Sequence, residues 1–177
     1  TNFRAVLQMI SLAKLYRFPA VFFNSLGQNV VKAHRRYIRQ LKKSHTGRRF
    51  VKYTTAYAKK KAAGKAAKGR AQMSRSTVPD LTLTGDMLNS LRMIVAEPNG
   101  FRYGITDPKQ AAKLEGNQTG IFGKNVKKSK KRIISSENHA VPPEIRKMIM
   151  EEMSKQVVRQ ITTELKKNKM GFKVYTI

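Results

Sequence analysis

The chain has 177 residues, no cysteine, 37 Lys and Arg against 10 Asp and Glu, and a formal net charge of +27. That length suits one domain, or one domain with an arm, and a hydrophobic content of 40% fills one small core. The absence of cysteine excludes a disulfide frame, a thiolate zinc site and a thiol nucleophile, and no apolar run approaches the ~20 residues of a membrane span.

The charge is unevenly placed. Nineteen of the 37 basic residues come before Asp80, the first acidic residue in the chain. Charge packed this way repels itself unless something anionic lies beside it. Phosphates of DNA or RNA are the simplest partner.

Residues 1–45 are helical in pattern. Lys14, Arg17 and Pro19 interrupt the early apolar patches, which therefore lack the order of a secretory signal. A basic, acid-free start also fits a mitochondrial transit peptide, but such peptides rarely extend this far. Pro19 and Ala20 separate a short segment (Val6, Leu7, Ile10, Leu15) from a longer one. In the longer segment Phe22, Leu26, Val30, Ala33, Tyr37 and Leu41 recur at steps of three and four, which sets them on one helix face. Lys32, Arg35, Arg36, Arg39, Lys42 and Lys43 occupy the remainder.

Residues 46–79 form a Lys/Ala/Gly-rich stretch with few apolar anchors beyond Phe50, Val51, Tyr53 and Tyr57. Gly64 and Gly69 each weaken a helix by about 1 kcal/mol relative to Ala. The stretch reads as an extended or partly helical arm that orders on contact.

Residues 80–141 read as strands and turns, beginning with Leu81-Thr-Leu-Thr and Thr84-Gly85. Met87 to Val95 starts with helical spacing and ends as a strand. Pro98-Asn-Gly100 is a turn signal, and Phe101 to Ile105 returns, so 91–105 is expected to be a hairpin. Asp107-Pro108 pairs an N-cap with proline at the first helical position. The helix is expected over about Lys109–Glu115, with a stop at Gly116. A loop with a lysine cluster follows, and Ile133-Ile134 reads as a short strand.

Pro142-Pro143-Glu144 opens the last helix, 143–167, with Ile145, Ile149, Met153, Val157, Ile161 and Leu165 at intervals of four. Acidic residues lie near its start and Lys166, Lys167 and Lys169 at its end, which complements the helix dipole. Phe172 to Ile177 reads as a closing strand. The expected fold is α+β: a small antiparallel sheet packed with a long N-terminal helix and a C-terminal helix, plus an extended basic arm. The organisation is an N-terminal helical region (1–45), a basic arm (46–79) and an α+β body (80–177).

Catalytic chemistry finds little support in these residues. His34, His45 and His139 have no metal spacing, and His34 falls off the apolar stripe on a basic helix face. Gly116 to Asn125 resembles a phosphate loop only at a glance, because Gln118 stands where glycine is needed and Asn125 where a hydroxyl should follow Lys124. The carboxylates are scattered and form no acid/base or two-metal pair. Neither Ser90 nor Ser129 has a partner arrangement of recognised form. The reading is a protein that is not an enzyme, with no cofactor and no metal.

The basic tracts carry the functional signal. The residues expected to contact nucleic acid or another polyanion are Lys42, Lys43, Arg48, Arg49, Lys59, Lys60, Lys61, Lys65, Lys68, Arg70, Lys127, Lys128, Lys130, Lys131 and Arg132. Such contacts bind almost any sequence. Tyr53 and Tyr57 could stack on bases but are expected to pack locally.

The run Pro79-Asp-Leu-Thr-Leu-Thr-Gly-Asp-Met-Leu-Asn-Ser-Leu91 resembles a segment of the tail-completion and head–tail joining proteins of tailed bacteriophages. The order that follows is similar too: a hairpin, a short helix ending in Glu115-Gly116, then Val141-Pro142-Pro143 and a long helix. Phe22-Phe-Asn-Ser-Leu-Gly-Gln-Asn-Val-Val resembles the minor tail protein Z type. The similarity spans 20–45 and 79–167. It departs at Ala111 or Ala112, where an aromatic residue is usual, and in the longer, more basic 46–79 stretch.

This resemblance implies a structural virion protein, assembled in the host cytoplasm, that forms a homo-oligomeric ring at the phage neck. Its neighbours would be portal-side connector and tail-tube proteins, with double-stranded DNA contacted non-specifically and no membrane partner. The alternative is a ribosomal or other RNA-binding structural protein, since those share a strong basic excess and extended tails.

Overall fold

The computed structural model describes residues 18–97, 99–120, 131–134 and 141–167. The fold is α+β, as expected: a two-stranded antiparallel sheet packed with an N-terminal helix and a long C-terminal helix. Helix α1 (Ala20–Arg36) begins directly after Pro19, whose extended backbone (φ −65°, ψ 147°) forms its N-cap. Proline suits this place because the first helical N–H groups have no intrahelical acceptor.

The face of α1 is wider than the stripe read from the sequence. Phe23, Val31 and His34 are buried with Leu26, Val30 and Tyr37. Phe18, Phe22 and Phe23 form an aromatic trio with ring centroids 5.1–5.6 Å apart. His34 is 2% exposed, so its assignment to an outward basic face is corrected.

Beyond Arg36 the helix widens into a π turn, Tyr37–Leu41, and closes at Lys42 in the left-handed region (φ 57°). A π turn holds more residues per turn than an α-helix. The phase of the apolar stripe therefore shifts: Ile38 is fully buried, whereas Leu41, expected in the core, is 48% exposed.

The basic stretch folds back on the body instead of hanging free. Lys43 and Arg49 form an isolated antiparallel bridge, and Phe50 enters the core. Helix α2 (Thr55–Ala62) is capped by the Thr54 hydroxyl, which accepts from the Tyr57 N–H at 3.4 Å. Gln72 Nε2 donates to the Lys61 and Ser74 carbonyls, and Lys42 Nζ reaches Ser76 Oγ at 2.9 Å. An arm awaiting contact would lack these ties.

Leu81 takes a positive φ (53°), and Thr82 N–H donates to the Asp80 carboxylate, so residues 81–84 bend and do not form a strand. Gly85 holds φ 80° at the N-cap of the short helix α3 (Asp86–Asn89), a conformation that costs other residues a steric penalty. A Cβ there would also clash with Met73 Sδ.

The hairpin forms where the sequence placed it: β1 (Leu91–Glu97) pairs antiparallel with β2 (Gly100–Ile105). The register slips between Met93 and Val95, which leaves Ile94 as a bulge, 51% exposed. Helix α1 packs across this hairpin. Its Gly27 lies so close that a Cβ would meet Met93 Sδ at 2.7 Å and Phe101 Cδ2 at 2.9 Å.

Helix α4 (Pro108–Thr119) starts as expected, with the Asp107 side chain accepting from Gln110 N–H at 2.9 Å. It does not stop at Gly116, which is buried inside the helix; Gly120 (φ 78°) supplies the left-handed cap one turn later. Ile133 and Ile134 are not a strand. The Ile133 carbonyl accepts from His45 N–H at 3.2 Å, and Ile134 is buried.

Helix α5 (Pro143–Lys167) matches its expected range. Only Ile145 of its stripe is fully buried; Ile149, Met153 and Val157 are half-buried against the core. Most of the loop lysine cluster and the expected closing strand 172–177 lie outside the described residues.

Candidate polyanion interface

The clearest departure from the sequence reading is Lys61. Its flanking residues Lys59 and Lys60 are exposed, but Lys61 points inward on α2 and is fully buried. Its Nζ donates to Asp80 Oδ1 at 2.6 Å and to Tyr53 Oη at 3.4 Å. Lys61 is therefore removed from the polyanion-contacting set, because a solvated phosphate cannot reach it.

Asp80 is held by several donors. Ser74 Oγ donates to its second oxygen, and Thr82 N–H donates to Oδ1 at 3.2 Å. Burial alone would raise the carboxyl pKa, but the hydrogen bonds from Lys61, Ser74 and Thr82 outweigh it and keep the group below its ordinary value. The same burial, with Asp80 nearby, pushes the Tyr53 phenol up to about 12.

Other basic residues also do structural work. Arg35 Nη2 donates to the carbonyls of Asn89, at 2.7 Å, and Leu91. Arg39 Nη2 reaches Asn89 Oδ1 at 2.5 Å. Two cations thus sit at the C-terminal end of α3, where free carbonyls favour positive charge. Lys43 pairs with Glu144 at 3.3 Å and Arg70 with Asp86 at 3.0 Å. Lys42 is half-buried and bonded to Ser76.

Of the remaining candidates, Arg48, Arg49, Lys59, Lys60, Lys65, Lys68 and Lys131 are exposed. Arg132 is half-buried, its guanidinium 4.9 Å from the centre of the Tyr53 ring. Lys127, Lys128 and Lys130 lie outside the described residues.

The structure gathers part of this charge around a groove of about 1180 Å³. Its rim carries Lys52, Lys68, Arg70, Lys109, Lys113 and Arg132. Tyr57, Leu81, Leu83 and Met87 supply apolar lining. Among the described residues that line it there is no carboxylate. Sequence reasoning identified Lys68, Arg70 and Arg132 but missed the others. Lys109 and Lys113 were detectable as an i, i+4 pair on one face of the helix that Asp107-Pro108 announces.

His34 is a buried histidine within the core. Its Nδ1 lies 3.0 Å from Tyr103 Oη, and burial lowers its pKa to about 4, with the Ile134 backbone opposing the shift. Among the described residues no three His, Asp or Glu side chains gather as a metal cluster, and no helix is long and apolar enough to cross a membrane. Comparison with known proteins finds no matching family model, no similar curated protein and no similar solved structure.

Proposed function

We propose that the chain is a structural, non-enzymatic protein of a tailed-phage virion. It forms a ring at the neck or top of the tail, joins the head connector to the tail, and holds a basic surface beside the packaged double-stranded DNA. The observation that carries the DNA-facing part is the exposed, one-signed surface of residues 46–79, where Arg48, Arg49, Lys59, Lys60, Lys65 and Lys68 stand in a stretch without any carboxylate. Such a surface is costly in isolation and favourable beside phosphates.

The ring rests on the resemblance of 79–91, of the hairpin with its following helix, and of the Pro142-Pro143 helix start to phage joining proteins. Closure of a ring needs two different faces on each subunit. Repetition around a pore would add weak phosphate contacts by multivalency.

Two measurements test this. Negative-stain imaging and light scattering of the purified chain should show closed homo-oligomers, alone or with a connector or tail-tube protein. DNA affinity should fall steeply with salt, with a log–log slope of about 0.9 per phosphate neutralised. Lys59→Glu with Lys60→Glu should weaken binding to all sequences alike. A chain that stays monomeric with such partners and sediments with ribosomal RNA would overturn the reading in favour of an RNA-binding structural protein.

A further inference from the structure

The groove beside α2 and α4 has a chemistry that open basic surface lacks. Its rim cations come from separate parts of the chain: Lys52 ahead of α2, Lys68 after it, Lys109 and Lys113 on α4, and Arg132 in the piece 131–134, while Arg70 on the same rim is paired with Asp86. They surround an apolar lining that includes the Tyr57 ring. Tyr53 and Tyr57 meet edge to face with centroids 4.9 Å apart. Tyr53 is already engaged, with Lys61 Nζ 5.1 Å and the Arg132 guanidinium 4.9 Å from its ring centre. Tyr57 is half-buried and lines the groove.

A duplex offers such a groove little beyond phosphate, because its bases are paired and stacked inside. An unpaired strand offers phosphates and aromatic base faces together, which is the combination of cationic groove and stacking platform that single-strand binders use. The groove, at about 1180 Å³, exceeds the roughly 300–1,000 Å³ typical of single small-molecule sites, so it suits an extended ligand. This chain is poorly equipped to fill it with a second copy. Most of its described acidic side chains are committed: Asp80 to Lys61, Asp86 to Arg70, Glu97 to Arg102, Glu144 to Lys43, and Glu152 and Glu164 to lysines on their own helix.

We infer that this groove binds a single-stranded segment of nucleic acid, with phosphates on Lys52, Lys68, Lys109 and Lys113 and a base against Tyr57. It goes beyond the ring proposal and does not depend on it. The probe is a fluorescein-labelled oligothymidylate of about 12 nucleotides, compared by anisotropy with a duplex of equal length on the intact chain at about 0.15 M salt.

The oligothymidylate should bind about tenfold more tightly than the duplex. Tyr57→Leu, which keeps apolar bulk but removes the aromatic face, should abolish that preference. Lys109→Glu with Lys113→Glu, both exposed and outside the core, should weaken oligothymidylate binding tenfold or more. Equal or tighter duplex binding, a preference that survives Tyr57→Leu in a folded protein, or indifference to the α4 charge reversals would each overturn the inference. Because the readout is strand preference, failure here leaves the oligomeric state as a separate question, and the reverse also holds.

Discussion

Lys61 and Asp80 form a buried ion pair, Nζ to Oδ1 at 2.6 Å, that joins a lysine of the acid-free N-terminal stretch to the first carboxylate in the chain. Removing one partner leaves a desolvated charge, which costs about 3–5 kcal/mol, whereas replacing both with apolar groups is often near neutral. Asp80→Asn should therefore lower the urea midpoint sharply. Lys61→Met combined with Asp80→Leu should recover most of the loss. Equal midpoints for wild type and Asp80→Asn would show that the pair is not what holds the stretch to the body.

His34 should make stability depend on pH between about 4 and 6.5. Its folded pKa is depressed, so the unfolded chain binds more protons in that window and stability rises with pH. At pH 5 the folded state should be less stable than at pH 7 by about 2 kcal/mol, measured by urea unfolding. His34→Gln should flatten that part of the profile. Asp80 acts lower: its folded pKa is also depressed, so its contribution is complete above the ordinary value of 3.8 and is lost as pH falls through the folded value.

The π turn gives Ile38 and Leu41 opposite weights. Ile38→Ala removes a fully buried side chain and should cost about 2–5 kcal/mol, while Leu41→Ala should stay within about 0.5 kcal/mol. Thermal melts of the two variants check this. A larger loss at Leu41 would mean that the helix continues in α-phase.

Gly27→Ala tests how tightly α1 sits on the hairpin. Alanine favours a helix by about 1 kcal/mol over glycine. Here the new methyl would sit 2.9 Å from Phe101 Cδ2 and 2.7 Å from Met93 Sδ, and overpacking of this kind costs about 1–3 kcal/mol. The melting temperature should fall. A rise would mean that Met93 and Phe101 move aside at no cost.

Features set by neighbouring residues were legible in the sequence. Pro19, Asp107-Pro108 and Pro142-Pro143 mark three helix starts because capping chemistry is local. The hairpin follows from two short runs around Pro98-Asn-Gly100. Features set across the fold were not. Nothing in Lys59-Lys60-Lys61 says which lysine turns inward; that depends on Asp80, well ahead in sequence. Leu41 fitted an α-helical period that the π turn ends, and Gly116 looked like a stop because glycine more often ends a helix than lies buried in one. The groove was invisible because its walls come from distant segments that only the fold assembles.

Arg132 N–H donates to the Asn117 carbonyl of α4 at 2.6 Å, and Ile134, two residues on, is buried in the core. Arg132 is thus positioned from two sides, by the last turns of α4 and by the core, which fixes its guanidinium over the Tyr53 ring at the edge of the groove.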